Sequence, residues 1–165
     1  MEDINLNKEE KDIAIKLRGI TKTFGTVVAN DQVNLDINYG EILALLGENG
    51  SGKTTLMNML SGIYFPDGGT MEMDGEEVMV SSPLNAIDLG IGMIHQHFKL
   101  VEVFSALDNI VMGTKGKFRK KKVMKENVTK ISEKFGLEMD LEKKIYNMAV
   151  SEKQTVEIMK VLYRG

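Results

Sequence analysis

The chain has no cysteine among its 165 residues. That excludes disulfides, thiolate zinc sites and a cysteine nucleophile, and it is compatible with a reducing compartment. No apolar run approaches the roughly 20 residues of a membrane-spanning helix, so any membrane association would go through a partner. The opening MEDINLNKEEKD is acidic and has no apolar core, unlike a secretory signal. Neither sign of charge dominates. A net charge of −3 exerts no global pull toward nucleic acid or an anionic membrane. Only two prolines interrupt the chain. A hydrophobic content of 42 % and a charged content of 27 % are ordinary for a globular chain of about one domain.

What is present centres on residues 47–54, GENGSGKT, which fit G-x-x-x-x-G-K-[ST] with Gly47, Gly52, Lys53 and Thr54 in the required places. Glycines let successive backbone N–H groups turn inward around phosphate oxygens, and a helix starting near Lys53 adds its positive dipole end. Glu48, Asn49, Gly50, Ser51 and Thr55 complete the candidate nucleotide-binding loop. Lys53 would place a compact charge on the β- and γ-phosphates, and the Thr54 hydroxyl would ligate Mg²⁺. The context agrees. The apolar run 42–46 before the loop predicts a buried strand, and Leu56, Leu60 and Ile63 after it fall on one helical face, with Gly62 placed to end the helix.

Elsewhere, alternation at Ile13, Ile15 and Leu17 and again at Val33, Leu35 and Ile37 predicts two half-buried strands laid beside this core. Asp74-Gly75 between residues 70–73 and 78–80 is a hairpin signal. Ser82-Pro83 opens a short helix ending near Gly90, and 92–94 reads as a short buried strand leading into His95-Gln96-His97. From Ser105 the character turns helical. Ser105 with Asp108 forms a capping box, and Met124, Val128, Ile131 and Phe135 make one stripe stopped by Gly136. Ser151 with Gln154 reads as another capping box, and Val156, Met159 and Leu162 continue at helical spacing. His95 and His97 have no third ligand nearby and read as loop histidines. The basic run from Lys115 to Lys125 holds one aromatic, Phe118, and reads as a solvated loop and helix entry rather than a nucleic-acid surface; a face toward lipid headgroups is the alternative.

These residues, with the opening ITKTFGTVVANDQVNLDINYGEILALLGENGSGKTTLMNMLSGIYFPDGG, the stretch IGMIHQHFKLVEVFSALDNIVMG and the ending SEKQTVEIMKVLYRG, resemble the ATP-binding cassette ATPases. More narrowly, they are similar to the ATPase subunits of bacterial simple-sugar and nucleoside uptake systems. The resemblance implies an α/β P-loop NTPase core with an antiparallel β subdomain (13–104), a helical subdomain through the signature helix (105–165, incomplete at its C-terminus), and a flexible arm at 1–12. It implies ATP and Mg²⁺ as cofactors. Lys53 and Gln96 take catalytic roles, Gln96 also reaching Mg²⁺ and the attacking water, and Phe24 stacks on adenine; an edge core residue is the alternative for Phe24.

The family's signature, Leu-Ser-Gly-Gly-Gln, is aligned here with Met148, Ala149, Val150, Ser151 and Glu152, and none matches. Ala149 offers no hydroxyl. Ser151 contacts the opposite ATP or simply caps its own helix. The strand ending in Asp-Glu that supplies the general base is not found before Gly165, so the expectation is an N-terminal fragment, itself inactive, of a longer ATPase. As partners the resemblance implies integral-membrane permease subunits, a second ATPase domain (fused or homodimeric) and, indirectly, an external solute-binding protein, with no nucleic acid. The location it implies is peripheral, on the cytoplasmic face of the cell membrane. Two other classes compete: a soluble cassette ATPase acting on nucleic acid or ribosomes, and a small-molecule kinase sharing the phosphate loop. The strands before the loop and the glutamine stretch after it disfavour the kinase.

Overall fold

The computed structural model describes residues 13–95, 97–114 and 120–164. The arm at 1–12, Gln96 and the first part of the basic run lie outside them. The chain forms two compact units, Met1–Leu89 and Gly90–Gly165, a division earlier than the boundary at 104/105 read from sequence.

The first unit is built on a four-stranded antiparallel sheet in the order β2-β1-β3-β4. β1 (Ile13–Phe24) and β2 (Val27–Asn38) are longer than the alternation alone indicates. The reason is a bulge. Alternation carries Ile15 opposite Ile37 and Leu17 opposite Leu35, and the register then shifts before Ile20 meets Val33. Gly19 supplies the φ of 62° at this shift, and Leu17 and Ile20, three apart, are both buried. On the other edge of β1 runs β3 (Gly68–Met73), with Met71 opposite Leu17, and β4 (Glu76–Val78) follows through Asp74-Gly75. Both turn residues have positive φ, 53° and 81°, as a two-residue turn matched to the strand twist requires.

Helix α1 (Lys53–Leu60) buries Leu56, Met59 and Leu60. It ends where Gly62, with φ 72°, is placed to stop it, so Ile63 beyond the helix is exposed and Met59 is buried instead. α2 (Pro83–Asp88) starts as expected, with the Ser82 hydroxyl accepting from the Asn85 N–H at 3.1 Å and Pro83 in the first turn.

Two expected strands are not formed. Residues 42–46 carry no strand, and Ile42 is 99 % and Leu46 91 % exposed. Residues 92–94 are likewise irregular, with Ile94 exposed. An apolar run becomes a buried strand only where another strand pairs with it and a layer covers it. Among the described residues nothing pairs with either segment.

The second unit is helical: α3 (Ala106–Val111), α4 (Lys121–Phe135) and α5 (Val150–Arg164), with a short 3₁₀ turn at Ile145–Asn147. Its core joins Leu107 and Ile110 of α3, Val128 of α4, Val156 and Met159 of α5, and Leu141, Ile145 and Met148 from the connection. The connection is stitched to α3 by backbone bonds, Ala106 N–H to the Lys143 carbonyl and Leu107 N–H to the Leu141 carbonyl. The capping box at Ser105 and Asp108 forms as read. In α4 the stripe is buried at its centre, Val128 fully and Ile131 partly, while Phe135, the last residue before the Gly136 cap, is half exposed. Two lysines of the described part of the basic run are paired locally, Lys125 with Glu142 at 2.9 Å and Lys121 with Asp108 at 3.4 Å.

Candidate functional site

The phosphate-loop residues form one local structure. α1 begins at Lys53, and the Leu56 N–H donates to the Gly52 carbonyl at 2.9 Å. Gly50 and Gly52 hold φ of 86° and 84°, the left-handed region open to glycine at little cost. The Ser51 N–H returns to the Glu48 carbonyl at 3.2 Å. Across this turn reaches Lys53, whose Nζ donates to the carbonyls of Gly47 and Glu48, each at 2.7 Å, and to Ser51 Oγ at 3.1 Å. A Cβ built on Gly47 would lie 2.8 Å from Ser51 Oγ, so a side chain there would crowd the inside of the curl unless Ser51 turned away. Thr54 is exposed in the first turn of α1, and Asn49 and Thr55 flank these residues on the loop and helix.

Strand β2 fixes the loop from beneath. A Cβ on Gly52 would meet the Ala29 carbonyl oxygen at 2.2 Å, and the buried Asn30 side chain donates to the Gly52 carbonyl at 3.4 Å. Asn30 and Ala29 were invisible as site residues in the sequence, where they are two members of an alternating strand. The only hint is that the strand and the loop are close in sequence.

Phe24 is the last residue of β1. It is 44 % exposed and meets Tyr64 edge-on, ring centroids 5.3 Å apart at 71°. Lys22 Nζ stands 5.5 Å from the centre of the Phe24 ring, within the range of a cation–π contact. This end of β1 is anchored by Asp67. Its carboxylate accepts from Lys22 Nζ at 2.7 Å, from the Thr23 N–H at 2.7 Å and from Thr23 Oγ1 at 2.8 Å. Those bonds, that of Lys22 first, hold the Asp67 carboxyl down at about 2.

In the second unit the signature-equivalent residues Ala149, Val150, Ser151 and Glu152 sit at the cap and first turn of α5, but not as the capping signal predicts. The Lys153 N–H donates to the Ala149 carbonyl at 3.0 Å, which makes Ala149 the cap residue and places Ser151 inside the helix. The expected box of Ser151 with Gln154 is therefore not formed. Glu152 does the work instead: its carboxylate accepts from the Ala149 N–H at 2.7 Å and from Lys143 Nζ at 2.7 and 2.8 Å. The Lys143 bond, then that of Ala149, keeps this carboxyl below its ordinary value. A carboxylate at the third helical position reaching back to the cap N–H is half of a capping box, and it works without a hydroxyl at the cap. Val150 is exposed at 71 %.

Among the described residues no three His, Cys, Asp or Glu side chains group as a metal site. No helix among them is long and apolar enough to cross a membrane.

Residues 30–165 match the protein family described as ABC transporter. The chain is 46 % identical over 157 residues to the nucleoside import ATP-binding protein NupA of Lactococcus lactis subsp. cremoris, a match covering 93 % of this chain and 31 % of that protein. It is 46 % identical over 158 residues to the guanosine import ATP-binding protein NupO of Bacillus subtilis, with the same coverage. The ribose import ATP-binding protein RbsA of Lactococcus lactis subsp. cremoris is 39 % identical over 150 residues, 88 % of this chain and 30 % of that protein. The chain thus spans about a third of the length of these relatives. In fold it is similar to the ADP conformation of an ATP-binding cassette of an ABC transporter, with a TM-score of 0.80 and 23 % identity over 92 % of this chain and 65 % of that one.

Proposed function

The chain belongs to the ABC transporter family, and from that premise we propose that it is part of the ATP-binding and ATP-hydrolysing subunit of an importer for nucleosides or simple sugars. The observation that carries the reading is Lys53 folded across its own loop, donating to Gly47, Glu48 and Ser51 around a curl whose left-handed turns fall on Gly50 and Gly52. Such a loop binds a polyphosphate with its backbone N–H groups and balances the charge with the lysine. Phe24, half exposed and steadied by Tyr64 and Lys22, supplies a flat face for adenine.

The donor set fits Mg²⁺. The ion demands oxygen ligands and keeps few protein contacts when substrate phosphates are present, and the exposed Thr54 hydroxyl stands at the helix start beside Lys53. When bound, Mg²⁺ would neutralise charge developing on the β- and γ-phosphates. Gln96 is the proposed second contact and water-orienting residue. The 165 residues contain no Asp-Glu dipeptide, so the general base is proposed to come from outside them, and these residues alone bind ATP weakly and do not turn it over. Ala149, Val150, Ser151 and Glu152 would face the ATP held by a second ATPase domain, with the Ser151 hydroxyl as the polar group there, since the Ala149 N–H is taken by Glu152.

Relatives named for nucleoside, guanosine and ribose import support a sugar-bearing solute. Permease subunits as partners, an external solute-binding protein working with them and a peripheral position at the cytoplasmic face of the membrane belong to the same proposal. Nucleotide titration of the complete protein and its Lys53→Ala variant tests the site. Uptake of radiolabelled guanosine and ribose by cells with and without the complete protein tests the transported class; uptake of neither would overturn it.

A further inference from the structure

A buried ion pair in the second unit has no place in nucleotide binding. Glu157 is 3 % exposed in α5, and Lys160, one turn on, bonds to it at 3.2 Å. Removing two charges from water is costly, and such a pair often contributes no net stability compared with apolar residues of the same size. What this pair does is grip one peptide. The Glu157 carboxylate accepts from the backbone N–H of Lys99 at 2.7 Å, and Lys160 Nζ donates to the backbone carbonyl of the same residue at 2.9 Å. Both polar groups of Lys99 are thus taken by side chains of one helix, independently of what side chain residue 99 carries. Lys153, four residues before Glu157 on the same face, adds a bridge to Glu102 at 2.9 Å. The three residues, at i, i+4 and i+7, rivet α5 to the segment 99–102, and Leu100 packs against the helical core between the rivets.

This segment follows Gln96 by three residues, and α5 opens with the signature-equivalent residues. We propose that Glu157 and Lys160 are positioning residues for ATP hydrolysis, locking the backbone at Lys99 to α5 so that the stretch after Gln96 and the signature end of the helix move as one piece. The proposal rests on the reading of the chain as an ABC ATPase. Neither residue touches nucleotide. Their effect is on geometry at the moment of turnover, not on ATP affinity, which is set by the phosphate loop.

The test is the double variant Glu157→Leu/Lys160→Met in the complete protein. Apolar replacement of a buried pair keeps the fold while deleting both grips on Lys99. The expected result is a melting temperature at or above that of the parent and ATP affinity within about twofold, with kcat lower by about tenfold or more, since misplacement by 1 Å costs on the order of 10²-fold. Hydrogen exchange at the Lys99 amide should quicken while the amides of Val156 and Met159 keep their protection. Glu157→Gln alone retains an acceptor for the Lys99 N–H and should keep most of kcat. A folded double variant with parental kcat, or with unchanged exchange at Lys99, overturns the proposal. Should the double variant not fold, Glu157→Gln/Lys160→Met preserves shape and deletes only the grip on the carbonyl; it is expected to give intermediate losses, and parental kcat would again overturn the proposal. Lys53→Ala runs alongside: turnover that survives it overturns the ATPase reading itself, while exchange at Lys99 still reports on the grip.

Discussion

Lys53 Nζ lies 2.7 Å from the carbonyl oxygen of Gly47, so the last charged residue of the loop holds the first glycine. The lysine therefore shapes the curl, and meeting phosphate is its proposed second task. Lys53→Ala should weaken ATP binding by about 1.5–3 kcal/mol, the range for charge-assisted hydrogen bonds. Equilibrium titration with a fluorescent ATP analogue reads this directly, and equal affinity of parent and variant would rule out the phosphate site.

Gly52 should tolerate no side chain. Alanine there takes a left-handed φ of 84° and drives its Cβ to 2.2 Å from the Ala29 carbonyl, backbone that cannot step aside without moving β2. The conformational term alone costs about 1–2 kcal/mol. Gly52→Ala is expected to lower the melting temperature and to abolish nucleotide binding together. Gly50→Ala meets nothing within 4 Å and should show the milder strain of a positive φ alone. Thermal scans with and without ATP separate the two.

Phe24 should contribute stacking that does not distinguish bases. Phe24→Ala is expected to weaken ATP and GTP alike and Phe24→Trp to preserve both. A Phe24→Ala variant that binds both nucleotides normally but melts earlier would return this ring to the role of an edge packing residue with Tyr64.

Asp67 sets a pH dependence at the end of β1. Its folded value, about 2, lies below the ordinary 3.8, so the unfolded chain takes up the proton first as pH falls. The stabilising contribution is present in full above about 4 and is lost as pH falls through about 2. Asp67→Asn should be less stable than the parent at neutral pH, and the difference should vanish in acid. Unfolding midpoints across pH 2–7 measure it; a constant gap would show that the carboxylate charge is not involved.

Phosphate release offers the last check. The 165 residues should release none, while the complete protein should do so in a Lys53-dependent manner. Lys53-dependent turnover by the 165 residues at the rate of the complete protein would place the general base within them.

Much of this was written locally in the chain. The phosphate loop, the hairpin at Asp74-Gly75 and the caps at Ser82 and Ser105 depend on residues a few positions apart, whose φ preferences and hydrogen-bonding groups act without distant help. The sequence alone therefore determined the turn of the loop, the start of the helix after it and the family resemblance. It misplaced elements whose state depends on a neighbour. Residues 42–46 are apolar enough for a buried strand, yet stay exposed because no described strand pairs with them. Ser151 and Gln154 spell a capping box, but Glu152 reaches the Ala149 N–H and starts the helix earlier. Only the tertiary structure decided that Ala149 caps α5, that Ala29 and Asn30 press on Gly52, that Asp67 anchors the strand carrying Phe24, and that Glu157 and Lys160 grip Lys99. Each joins residues separated by up to 61 positions or turns on a competition between nearby partners, and neither is encoded in spacing along the chain.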